Sequence, residues 1–281
     1  MNLYPIDSGN FKLDGGAMFG VVPKTLWQRT NPADENNMCD WSMRCLLIED
    51  GNRLMLVDTG IGDKQSEKFF SHYYLHGNGD LKTSIENAGF SLDDITDVFL
   101  THLHFDHCGG AIKNTESGFR PVFKNATYWS NERHWKWATE PNAREKASFL
   151  SENILPIQES GQLKFIERNA DIMTNVFKGI DVLFVDGHTD SQQLPIINYK
   201  GKKIVFMADL LPSVGHIPLP YVMGYDTRPL ITLAEKGSFL QKAADEELVL
   251  FLEHDAVNQC CTVTNTEKGV RLDKTFQLKD L

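Results

Sequence analysis

No apolar stretch in this sequence approaches the ~20 residues that a membrane span needs. The first residues, Met1-Asn2-Leu3-Tyr4-Pro5-Ile6-Asp7, lack the basic segment and apolar run of a secretory signal. Cysteine is sparse. Five residues, Cys39, Cys45, Cys108, Cys260 and Cys261, form an odd, scattered set with no CxxC pair, which argues against a disulfide framework. A reducing, cytoplasmic location is the expectation. Positive charge is in deficit, with 28 Lys and Arg against 38 Asp and Glu and a net charge of −10. That balance disfavours nucleic acid and anionic membranes as partners and leaves a small-molecule substrate. There is no GxSxG turn to present a nucleophilic serine. Low-complexity tracts, linkers and solenoid repeats are missing too, so residues 1–281 read as one domain.

What is present is an ordinary globular composition, 41% hydrophobic and 23% charged, with one dense exception. In Thr101-His102-Leu103-His104-Phe105-Asp106-His107, four groups able to bind a metal fall within six residues. Packing alone does not ask for that density of imidazole and carboxylate. Val98-Phe99-Leu100 before it is a short apolar run of the buried-strand kind. His102 and His104, two apart, point to one side of an extended chain. Asp106 and His107 converge only if the chain turns, and Gly109-Gly110 offers freedom for a turn into a helix start. One strand end thus offers two pairs of ligands to two neighbouring metals. Imidazole and carboxylate suit zinc best, with manganese, iron and cobalt admitted. Cys108 beside the run reads as a small buried residue, with a ligand or redox thiol as the alternative.

Further strands are expected at 45–48, 54–57, 98–100, 181–185, 194–199, 203–207 and 248–252, with hairpin turns at 50–52 and 200–202. Helices are expected from a cap at Asp63, over 80–89, over 130–154 with a break near Pro141, and over 227–246 opened by Thr227 and Pro229. Interleaved helices and hairpins predict an α/β protein with mixed sheets.

At this point the sequence resembles the metallo-β-lactamase superfamily over nearly its whole length. Val57-Asp58-Thr59-Gly60 resembles the first motif and 101–107 the HxHxDH motif. Gly187-His188-Thr189, Ala208-Asp209 and Glu253-His254-Asp255 resemble the third, fourth and last. The resemblance implies an αββα sandwich of two mixed β-sheets flanked by helices. It implies two divalent metal ions, most simply zinc. One would take His102, His104 and His188, and the other Asp106, His107 and His254, with Asp209 bridging both alongside a hydroxide. Asp58 would hold the ligand loop by hydrogen bonds. Asp106 and Asp209 would carry the catalytic role, the hydroxide attacking a carbonyl or phosphoryl centre.

The bridging Asp209 is missing from true β-lactamases of this superfamily and fits its quorum-quenching lactonase and glyoxalase II-like branch. The segment Leu13 to Lys24 is similar to the N-terminal loop of proteins related to acyl-homoserine lactonases. It reads as a pocket wall or homodimer contact, with an ordinary core strand as the equal alternative. Two departures stand out. His188 is followed by Thr189-Asp190-Ser191-Gln192-Gln193 instead of Pro-Gly-His. Where those lactonases carry a tyrosine, three residues past the bridging aspartate, this chain has Pro212. His216, Tyr221 and Tyr225 on the same loop are available substitutes, each also readable as an ordinary loop residue. The Trp-rich stretch 128–137 reads as core packing or as a wall for an apolar acyl or aryl group. The expected activity is hydrolysis of lactones or esters. The alternatives are a thioesterase, a phosphotriesterase, a redox metal protein and a silent metal-binding scaffold.

Overall fold

The computed structural model describes residues 1–281. The chain divides into two compact units, one formed by 1–10 and 43–169, the other by 11–42 and 170–281. The fold is α/β, with two mixed sheets and flanking helices.

The first unit holds most of a six-stranded sheet, in the order Asn2–Asp14, Met38–Asp50, Arg53–Val57, Asp97–Phe99, Thr127–Ser130, Leu163–Phe165. Met38–Asp50 and Arg53–Val57 form an antiparallel hairpin. Arg53–Val57, Asp97–Phe99, Thr127–Ser130 and Leu163–Phe165 then pair in parallel. Ile6, Leu47, Leu56, Val98, Leu103, Tyr128, Trp135 and Ile154 belong to its buried core. Because Val57 lies opposite Phe99 in a parallel pair, Asp58 and Thr101 leave the sheet at one edge. Carboxyl ends of parallel strands are where such sheets place ligands.

The second unit carries a seven-stranded sheet, in the order Gly269–Phe276, Cys260–Thr266, Val249–Phe251, Lys202–Phe206, Gln192–Tyr199, Ile180–Val185, Ile172–Phe177. Lys202–Phe206 and Val249–Phe251 are its parallel pair, with Phe206 opposite Phe251, so the segments bearing Asp209 and His254 leave together. The 17-residue helix Pro229–Asp245 has proline in its first turn and buries Thr232, Lys236, Phe239, Leu240 and Ala243, one stripe of a 3.6-residue repeat. This helix is neither long nor apolar enough to cross a membrane, and no other helix is. All five cysteines are free and buried.

Some elements differ from expectation. The helix expected at Asp63 is Glu67–Phe70, capped by Ser66, whose hydroxyl accepts from the Phe69 N–H. Just upstream, Lys64 donates to the Gly109 carbonyl and holds its segment in a loop. The 130–154 region gives Glu132–Thr139 and Ser151–Glu159, parted by more chain than a break at Pro141 implies. Residues 15–19 and 24–27 are short helices following the first strand.

Candidate metal centre

In the first unit, Asp58 is the organising residue. It is fully buried and takes a left-handed backbone conformation (φ 56°) where the strand turns. One carboxylate oxygen accepts from the Thr101 N–H at 2.7 Å, and the other from the Thr101 hydroxyl at 2.6 Å. That second oxygen also lies 3.1 Å from His107 Nδ1. Thr59 adds its N–H and its hydroxyl, both donated to the His107 carbonyl. The strand-end turn thus grips both ends of the 101–107 run.

Within that run His102 Nε2 and His104 Nδ1 come to 3.1 Å, as two ligands of one ion would. Asp106 and His107 sit on the short helix Phe105–Cys108, with Asp106 Oδ2 3.7 Å from His107 Nε2. Gly109 continues that helix at φ −60°. Its role is therefore not backbone freedom, as the sequence suggests, but space: a Cβ there would run into the Ile61 carbonyl. A Cβ on Gly110 would meet the Thr59 carbonyl in the same way. Cys108 lies beneath, its thiol donating to the Leu103 carbonyl and pushed up to about 12 by burial.

The Trp-rich stretch serves the run. Trp135 is buried in the core, and Trp129 donates to Asp97. Trp137 donates to Glu145 at 2.7 Å, and the other Glu145 oxygen lies 3.4 Å from His104 Nε2. The buried His134 accepts the Leu103 N–H through Nε2 at 2.9 Å. Neither Glu145 nor His134 is identifiable from motif spacing.

In the second unit, three of the expected residues meet. Asp209 Oδ2 lies 2.9 Å from His188 Nε2, and Oδ1 lies 3.1 Å from His254 Nε2. Each oxygen of one carboxylate thus faces a different imidazole. The opposite ring nitrogens are held as well. His254 Nδ1 lies 2.8 Å from the Ser42 carbonyl, and His188 Nδ1 lies 2.9 Å from Asp226. Burial opposes charge on His188, but Asp209 and then Asp226 outweigh it and raise its pKa to about 10. All three residues are buried.

His216 and Tyr225 part company here. His216 is buried, stacked on Phe19 at 4.4 Å, with Nε2 donating to the Met18 carbonyl and Nδ1 2.9 Å from Ser213 Oγ. Burial lowers its pKa to about 3, so it is neutral at pH 7 with its one proton committed. Tyr225 is 40% exposed on the loop surface, and Pro212 lines a small cavity with Asp209 and Asp226.

Imidazole nitrogens and carboxylates at these separations are the donor chemistry of zinc and similar divalent ions. A carboxylate with each oxygen turned to a separate imidazole suits a bridging ligand. The donor set therefore fits a pair of metals.

Residues 44–254 match the metallo-beta-lactamase superfamily. The chain belongs to that superfamily. An N-acyl homoserine lactonase of Bacillus cereus is 24% identical over 268 residues, covering 90% of this chain and 92% of the relative. A probable metal-dependent hydrolase from Staphylococcus aureus superimposes with a TM-score of 0.89 at 26% identity, over 100% of this chain and 98% of the other. The dizinc quorum-quenching lactonase AidC, in complex with a product, gives a TM-score of 0.78 at 22% identity over 98% and 95%. The superfamily member described here carries the histidines and aspartates of a metal-dependent hydrolase.

Proposed function

We propose that this protein is a dinuclear metal-dependent hydrolase that opens lactones or related esters. In this reading residues 1–281 act as one domain. One ion would be held by His102, His104 and His188 and the other by Asp106, His107 and His254, with Asp209 serving both. The observation that carries the reading is the Asp209 carboxylate, with one oxygen toward His188 and one toward His254. Zinc is the ion of choice, in keeping with the donor types and with the dizinc relative.

Bound, the two ions would supply an activated water at neutral pH and a Lewis acid for the substrate carbonyl. The chain's own residues do the rest. Asp58 and Thr59 fix the 101–107 run, so the first-unit donors need no rearrangement to meet a metal. Asp106 and Asp209 orient the attacking water and accept its proton, which passes on to the departing alkoxide. His216 keeps its proton on the Met18 carbonyl and serves to hold the loop. Tyr225 lies exposed at the surface of that loop.

Lactone or ester chemistry is favoured by Asp209, by the Leu13–Lys24 segment and by the lactonase relatives. The test is a substrate panel with the zinc-loaded protein. Hydrolysis of γ-lactones or aryl esters is expected, with β-lactams turned over little or not at all. Faster turnover of thioesters or phosphotriesters would move the assignment within the same site. β-Lactams turning over well, with lactones and esters untouched, would overturn it.

A further inference from the structure

We propose that Asp226 is a positioning residue for the metal site, fixing the tautomer and aim of His188; this rests on the dinuclear reading above. Asp226 lies outside all five sequence motifs, 17 positions beyond Asp209 on a loop. It is 2% exposed, and its Oδ1 lies 2.9 Å from His188 Nδ1. A carboxylate only accepts hydrogen bonds, so Asp226 keeps a proton on Nδ1. Nε2, turned to Asp209 Oδ2, is the nitrogen whose proton a bound ion would replace. Protonated on Nδ1 alone, the ring can ligate a metal through Nε2, and the carboxylate makes it more basic.

The contact is over-determined by its surroundings. The Thr227 N–H donates to the His188 carbonyl and the Arg228 N–H to the Gly187 carbonyl, so 226–228 runs alongside the ligand segment. The Arg228 guanidinium bonds Asp190, and Glu235 accepts the N–H groups of Asp186 and Gly187. The approach to Asp226 is held from helix Pro229–Asp245 by the buried Lys236, whose ammonium donates to the carbonyls of His216 and Tyr221. Asp58 does the same service for His107, but from within a motif. Asp226 does it from a loop whose neighbours His216 and Tyr225 drew attention in the sequence.

The experiment uses the full chain and its Asp226→Asn, Asp226→Ala and Asp226→Glu variants, with zinc affinity read by competition against a chromophoric chelator. Asp226→Ala should lose affinity about 10–100-fold. Asp226→Asn can still accept the Nδ1 proton but lacks the charge, and its loss should be smaller. Asp226→Glu should restore part of it. In proton spectra of the zinc-loaded protein, the downfield imidazole N–H of His188 should move upfield in Asp226→Asn. The near-isosteric Asn variant decides the matter if the Ala variant does not fold. Wild-type affinity and an unmoved N–H signal in Asp226→Asn would overturn the inference, as would a change confined to the melting temperature. Should the unsubstituted chain itself fail to bind two zinc ions, the dinuclear reading falls and this inference with it. Two ions bound, with unaffected variants, removes the inference alone.

Discussion

Replacing Asp209 by alanine should lower kcat by at least about 10³-fold while leaving the fold intact. The side chain lies on a single 3-10 turn after strand Lys202–Phe206, and its two oxygens face His188 and His254 at 2.9 and 3.1 Å. On the dinuclear reading, removing it would take away the ligand common to both ions. It also relieves two buried imidazoles of their carboxylate partner, so the loss should be in turnover and metal content more than in packing. The measurement is steady-state kinetics on zinc-loaded protein beside a thermal melt. Unchanged kinetics at equal metal content would rule out the bridging role.

Gly109→Ala should be strongly destabilising and should disturb the site. The added Cβ would be driven into the Ile61 carbonyl, a backbone atom that no side-chain rotation can move away. Either the loop containing Ile61 or the helix Phe105–Cys108 must shift. The loop is tied by Lys64 to the Gly109 carbonyl, and the helix is tied through His107 to Asp58 and Thr59. Overpacking of this kind costs about 1–3 kcal/mol. Asp106 and His107 would move with the helix, so metal content should fall too. Denaturant unfolding and metal analysis test both parts. A variant with the stability and metal content of the parent would show that the close approach can relax.

The donors were legible because they are dense. A run of four ligand types in 101–107 has no packing explanation, and the short apolar strands before it and before Asp58 mark the edge where it sits. The strands at 180–185, 192–199, 202–206 and 249–251 were readable for the same reason, being buried apolar runs. Strand Asn2–Asp14 mixes polar and apolar residues, and the hairpin Cys260–Thr266 with Gly269–Phe276 exposes most of its side chains, so neither shows an apolar run. Glu145, His134 and Asp226 were illegible because their partners are distant in sequence. Their positions follow from tertiary packing and obey no local spacing. Gly109 shows a subtler limit: a glycine pair beside a ligand helix suggests a flexible turn, whereas the folded chain uses its missing side chain.

The central claim is that this chain binds two metal ions through Asp209 and six further side chains. Elemental analysis of the full chain, after zinc loading and removal of free metal, tests it most directly. The account predicts two zinc ions per chain, falling in the Asp209→Ala variant. At most one ion under metal-replete conditions, with the same content in Asp209→Ala, would contradict it.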